Sequence, residues 1–184
     1  MTAAMPEAKG QLISLRELTP EDIDERYLSW FRDSVVTQFL TARNLTREDV
    51  IDYIEEGRRS GTYYMLALCD AASGLHVGNV KIGPIDRGNG NSDLVTVIGD
   101  RSFWGKGLAT EAISLASQLA FEIYGIRKLC GSIISENVGS IKSYTRGGWH
   151  VECVRKHQYL IDGVLQDEVF VCCFNPKLAP PTAP

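Results

Sequence analysis

Apolar positions in this chain alternate between two periods, and the switches between them mark out its elements. Leu12, Ile13 and Leu15 read as a first strand. Thr19-Pro20-Glu21-Asp22 then carries a helix-start signature: a hydroxyl cap, a proline at the first helical position and acids in the first turn. Tyr27, Leu28, Trp30 and Phe31 follow at helical spacing. Thr46-Arg47-Glu48-Asp49 opens a second helix to about Ser60, with Val50, Ile51, Tyr53 and Ile54 on its apolar face. Strands are expected at Tyr63–Cys69, Leu75–Ile82 and Asp93–Ile98, separated by the turn Asp70–Gly74 and the loop Asp86–Ser92. A long helix carries Leu108, Ala112, Ile113, Leu115, Ala116, Leu119, Ala120 and Tyr124, an apolar face wide enough to pack on a sheet. Leu129–Ile134 is a strand and Gly139–Arg146 a short helix. Val151–Ile161 and Val164–Phe174 form a hairpin around Asp162-Gly163.

The resulting order is β-α-α-β-β-β-α-β-α-β-β. A purely parallel sheet needs regular strand–helix alternation. This order gives instead an α/β fold with a mixed sheet and an antiparallel front half. Neither a repeat nor a linker divides the chain, so residues 11–174 are expected to form one domain. Residues 1–10 and the proline-rich 175–184 read as flexible tails. The 184 residues are 44% hydrophobic and 23% charged, ordinary for a globular protein with a sizeable core. A net charge of −4 disfavours nucleic acid as a partner. Without a membrane-length apolar run or a signal-peptide core, the expected location is the cytoplasm, with no membrane partner. Cys69, Cys130, Cys153, Cys172 and Cys173 form no Cys-x-x-Cys pair and are expected as buried, reduced thiols. His76, His150 and His157 lack ligand spacing, so no metal site is expected.

Candidate chemistry concentrates in Trp104-Gly105-Lys106-Gly107-Leu108-Ala109-Thr110-Glu111-Ala112, at a strand-to-helix junction. Two glycines let the backbone turn tightly, and a helix start presents unpaired amides and a positive dipole end, which suit a phosphate. A Walker loop does not fit: five residues, not four, separate Gly99 from Gly105, and Gly107 follows Lys106. A dinucleotide fingerprint does not fit either, because Thr110 stands where its third glycine belongs. The run resembles motif A of the GNAT family of N-acetyltransferases, Gln/Arg-x-x-Gly-x-Gly/Ala, matched at Gly107 and Ala109 with Trp104 in place of Gln or Arg. That departure resembles the branch of ribosomal-protein alanine acetyltransferases (RimJ/RimL-like). Further on, Asn137-Val138-Gly139-Ser140-Ile141-Lys142-Ser143-Tyr144-Thr145-Arg146-Gly147-Gly148-Trp149 resembles motif B, Asn-x-x-Ala/Ser-x-x-x-Tyr/Phe-x-x-x-Gly-Phe, with Trp149 for Phe. Two motifs in the right order, with the right helix and strand between them, are more specific than either alone.

The resemblance implies an acyl-CoA N-acyltransferase fold and acetyl-CoA as cosubstrate. Backbone groups of Val97, Ile98 and Gly99 would hold the pantetheine arm. The amides of Gly105, Lys106, Gly107, Leu108, Ala109 and Thr110 would hold the pyrophosphate, with Lys106 either adding charge or standing as a surface lysine. Asn137 and Ser140 would lie at the cofactor arm, Asn137 alternatively capping a helix. Tyr144 takes the place of the tyrosine that donates to the leaving thiolate; its alternative reading is a packed aromatic. For the general base, Asp93 ranks ahead of Glu136 and of water relays to backbone carbonyls, while the helix location of Glu111 suggests a structural hydrogen bond.

On the acceptor side, Trp30, Arg43 and Asn79 head the candidates, with Phe31, Asn44 and Tyr159 beside them. Tyr-Leu-Ser-Trp-Phe-Arg-Asp at 27–33 resembles family members that acetylate amino sugars, often as sugar nucleotides. The expected reaction is direct acetyl transfer in a ternary complex to a primary amine of a small molecule or peptide. Protein N-terminal acetylation and a non-catalytic acetyl-CoA sensor are the alternatives. A homodimer through an open strand edge or the last hairpin is compatible with the sequence.

Overall fold

The structure, a computed structural model, describes residues 7–161 and 163–178. Asp162 of the expected hairpin turn, and residues 1–6 and 179–184 of the expected tails, lie outside the described residues. The strands are β1 (Ala8–Lys9), β2 (Ile13–Glu17), β3 (Tyr64–Asp70), β4 (His76–Asp86), β5 (Asn91–Ile98), β6 (Lys128–Ile134), β7 (His150–Ile161) and β8 (Val164–Phe174). They form one sheet in the order β1-β2-β3-β4-β5-β6-β8-β7. Every neighbouring pair is antiparallel except β5 and β6. The helices are α1 (Glu25–Trp30), α2 (Ser34–Thr37), α3 (Arg47–Ser60), α4 (Leu108–Glu122) and α5 (Val138–Arg146).

Each face of the sheet buries its own apolar set. On one face, Leu108, Ala112, Ile113 and Ala116 of α4 pack with Tyr144 of α5 against Leu66, Leu94, Leu129 and Val171. On the other, Tyr27, Leu28 and Trp30 of α1 and Val50 and Ile54 of α3 pack against Ala67 and Cys69, with Val97 alongside. At about 25 cal/mol per Å² of apolar surface, this two-sided burial is the main stabilising term.

Four expectations change. The helix expected from Thr19 onward is broken into pieces. Thr19 and Pro20 open only a 3-10 turn, Pro20–Asp22, and α1 starts afresh at Asp24, whose carboxylate accepts from the Tyr27 amide at 2.8 Å. Asp33 caps α2 in the same way. Within the segment expected as a loose N-terminal tail, Ala8 and Lys9 pair with Leu15 and Ser14. Of the cysteines, all free, Cys69 and Cys172 are buried but Cys153 is exposed, because β7 is the uncovered edge of the sheet.

The segment from residue 175, also expected as tail, begins with a buried side chain: Asn175 donates to the Ile126 carbonyl at 3.2 Å. Glu111, read as structural, sits on α4 and accepts from the amides of Gln11, Leu12 and Ile13 at 2.7–2.9 Å. It ties α4 to the start of β2. Among the described residues, no helix is long and apolar enough to cross a membrane.

Candidate active site

The parallel ladder between β5 and β6 is short. It joins Asn91 to Lys128, Ser92 to Leu129 and Asp93 to Cys130, and then stops. Both strands continue, to Ile98 and Ile134, so the sheet is split by a wedge whose vertex lies at Asp93 and Cys130. Backbone along an open ladder keeps donors and acceptors free for a ligand. Thr96, Val97 and Ile98 from this stretch line a cleft of about 410 Å³.

Gly107 and the first turn of α4 close one end of that cleft. Gly107 caps the helix at φ +88°, a conformation that favours glycine, and offers no side chain to the first amides. Leu108, Ala109 and Thr110 therefore present unpaired N–H groups at the positive end of a 15-residue helix. Lys142 and Arg146, one turn apart on α5, line the cleft as well, and no carboxylate is among its lining residues. A helix start, two cations and no anion fit a polyphosphate. Val35, Val36, Gln38, Phe39 and Leu40 form another wall.

Sequence reasoning passed over Lys142 and Arg146, although their i, i+4 spacing within motif B was the available signal. The wall from α2 had no local signal.

Trp104 lines the cleft at 41% exposure, and its indole N–H donates to the Ile98 carbonyl at 2.8 Å. The side chain that departs from motif A thus joins the glycine loop to the end of β5. Lys106 is not in the lining, but its ammonium lies 5.0 Å from the centre of the ring of Phe103, which is. Gly99 is not in the lining either. Its amide donates to the Val77 carbonyl at 2.9 Å, and a Cβ there would come within 2.1 Å of the Trp30 ring. Gly105, at φ +74°, does line the cleft.

Asn137 caps α5, accepting from the Ser140 amide at 3.1 Å, and both residues line the cleft. Tyr144 reaches the cleft wall from α5. It is 4% exposed and donates its hydroxyl to the Leu94 carbonyl at 2.6 Å. Burial pushes this phenol well above its ordinary pKa, outweighing the lowering influence of the nearby Thr96. Asp93 points to the opposite face of the sheet, one residue before the Leu94 carbonyl that holds Tyr144. Asp93 is exposed and outside the cleft lining; partial desolvation raises its carboxyl and the nearby Lys81 ammonium opposes that. Glu136 is exposed and outside the cleft.

The expected acceptor residues do not converge. Trp30 is buried against Gly99. Asn79 is 4% exposed, donating to the Tyr27 hydroxyl at 3.1 Å, with its carbonyl oxygen 3.1 Å from His76 Nε2. Arg43 is exposed and donates to the Leu40 carbonyl at 3.3 Å. None of the three lines the cleft. Trp30 and Asn79 serve the packing of α1 on the sheet, a role set by tertiary burial.

Residues 13–150 match the family model described as an acetyltransferase (GNAT) domain. The chain belongs to the GNAT acetyltransferase family. Acetyl-CoA is its cosubstrate and amines are its acceptors. The probable N-acetyltransferase YjcK of Bacillus subtilis is 23% identical over 91% of this chain and 97% of its own length.

Among solved structures, spermidine N-acetyltransferase from Vibrio cholerae, in complex with CoA and spermine, superposes with a TM-score of 0.81 at 17% identity. The match covers 92% of this chain and 99% of that one. Ribosomal-protein-S5-alanine acetyltransferase from Vibrio fischeri gives 0.77 at 16%, covering 95% and 100%. The fold is therefore that of the GNAT acetyltransferases, and the RimJ/RimL-like branch is consistent with it.

Proposed function

We propose that this GNAT enzyme acetylates the primary amine of an amino sugar carried on a nucleotide, by direct attack within a ternary complex. Acetyl-CoA supplies an acetyl group activated as a thioester; everything else falls to the chain. The amides of Gly105, Gly107, Leu108, Ala109 and Thr110, with Lys142 and Arg146, hold the pyrophosphate end. The open backbone of Val97 and Ile98 holds the arm, with Asn137 and Ser140 beside it.

Tyr144 and Asp93 then stand on opposite faces of the wedge. Tyr144 turns its single O–H from the Leu94 carbonyl to the departing sulfur and donates a hydrogen bond to it. A phenol near pKa 10, raised further by burial, is a weaker acid than a thiol near 8.5, so stabilising charge on sulfur is its role rather than full proton transfer. Asp93 takes the ammonium proton on the acceptor side; its raised pKa makes it a stronger base than an ordinary aspartate.

Charge on the acceptor face carries the choice of amine. Asp93 feels the positive charge of Lys81, whose ammonium donates to the Tyr53 hydroxyl at 2.8 Å, and Glu168 is salt-bridged to Arg155 at 2.5 Å. Acids offset in this way suit one amine on a neutral or anionic body better than a polycation. The five free thiols suit a reducing compartment, so the reaction belongs in the cytoplasm.

The test is thiol release from acetyl-CoA with a UDP-linked 4-amino sugar, spermidine, an aminoglycoside and an N-terminal peptide. Release is expected with the sugar nucleotide. Turnover of spermidine or the peptide in preference would overturn the amino-sugar reading, and tight acetyl-CoA binding with no turnover of any amine would favour a sensor.

A further inference from the structure

One polar cluster lies outside the cleft and the catalytic pair. Cys130 shares its sheet face with Asp93 through the parallel ladder, and Ser132, two residues on, keeps that face. At ~3.3 Å per residue, Ser132 stands about 7 Å beyond the vertex on the open arm of the wedge. Gly131 between them faces the Tyr144 ring on the other side.

The exposed Ser132 hydroxyl bonds Glu168 Oε1 and lies 2.6 Å from the Tyr159 hydroxyl, which donates to the same oxygen at 2.9 Å. Glu168 is 3% exposed, and Arg155 balances its charge while crossing the Phe170 ring at 5.3 Å.

Tyr159 reaches this cluster only because β7 is bulged. The register against β8 slips between Arg155 and Tyr159. Within the slip His157 takes φ +54°, unusual for a non-glycine residue. Asp167 holds the bulge, accepting from the His157 amide at 3.0 Å and the Lys156 ammonium at 2.8 Å. Bulges that re-aim a side chain, and residues held at strained φ, concentrate at functional sites.

The hydrogen-bond logic defines the ligand. An ionised carboxylate only accepts, so the Ser132 and Tyr159 protons are consumed by Glu168 and by each other. Both hydroxyl oxygens then face outward as acceptors. A ligand here must bring O–H or N–H donors; a phosphate, which has none to give when ionised, is turned away.

We infer that Ser132, Tyr159 and the buried Glu168 form an acceptor subsite for the hydroxyl groups of the sugar ring whose amine is acetylated at Asp93. This rests on the amino-sugar reading above and adds the residues that would select it. Arg155 is the positioning residue that holds Glu168 in place through its salt bridge.

The experiment compares wild type with Tyr159→Phe and Ser132→Ala, reading KM for the UDP-linked 4-amino sugar, KM for acetyl-CoA and Tm. Removing one hydroxyl from a charge-linked network is expected to raise the sugar KM about tenfold in each variant and leave the acetyl-CoA KM unchanged, while Tm falls by a few degrees because the buried Glu168 loses a donor. An unchanged sugar KM, or an equal rise in both KM values, overturns the subsite. If spermidine alone is turned over, the amino-sugar reading fails, and the same variants are compared on spermidine: a tenfold KM rise keeps the cluster as a donor-binding acceptor subsite, and no rise removes it.

Discussion

Single side chains do most to separate this molecule from a generic member of its fold. Trp104 replaces a polar motif residue, yet its indole N–H still performs a polar task by fixing the Ile98 carbonyl at 2.8 Å. Trp104→Phe keeps the ring and removes that bond. The KM for acetyl-CoA is expected to rise about tenfold while kcat changes little, since the bond shapes the donor site and not the reacting atoms; an unchanged KM in steady-state kinetics would show that the loop holds its place unaided.

The placement of Tyr144, Asn137 and Gly107 at the cleft was legible because each stands in a local motif whose spacing survives without the fold. The packing of Trp30 and Asn79 away from the cleft was not, because burial belongs to the fold: nothing near Trp30 in sequence announces that Gly99 will lie against its ring.

At the scale of elements, the periodicity was enough wherever an element buries a continuous face. The boundaries of α3, α4 and α5 fall within about two residues of expectation. It failed where two start signals compete, as when Asp24 opens α1 a few residues after Thr19-Pro20. The pairing of Ala8–Lys9 had no signal at all, since two residues carry no period. The tie between α4 and β2 was half legible: Glu111 was read as structural, but its partners, 98–100 residues away, were not.

Glu111→Ala removes the acceptor from three amides, of which only Ile13 is in a buried residue. The expected cost is about 2 kcal/mol, or a Tm drop of about 6 °C by calorimetry for a chain of this size. A Tm within 1 °C of wild type, on the order of the measurement error, would mean that water replaces the carboxylate.

Over the whole molecule, the two helical layers leave a pH signature. His76 is 8% exposed between Trp30, Tyr27 and Asn79. Burial lowers its pKa from 6.5, more than Asn79 and Asp22 raise it. The unfolded chain therefore takes up a proton below pH 6.5 that the folded chain resists. This group's stabilising contribution is full above pH 6.5 and declines as pH falls toward the folded pKa. His76→Gln is expected to flatten the loss of Tm below pH 6.5; an identical pH profile would place the acid sensitivity elsewhere.

The proposed reaction rests on the same architecture: the sheet is split at Asp93 and Cys130, with the phosphate-holding amides and Tyr144 placed by the proposal on one face and the amine on the other. The most direct test is Tyr144→Phe, measured by thiol release at saturating amine alongside calorimetric titration of acetyl-CoA. Loss of the sulfur-side hydrogen bond is expected to lower kcat about a hundredfold while acetyl-CoA binds with unchanged affinity. A variant that turns over at the wild-type rate would contradict the assignment of Tyr144 and with it the two-faced chemistry of the wedge.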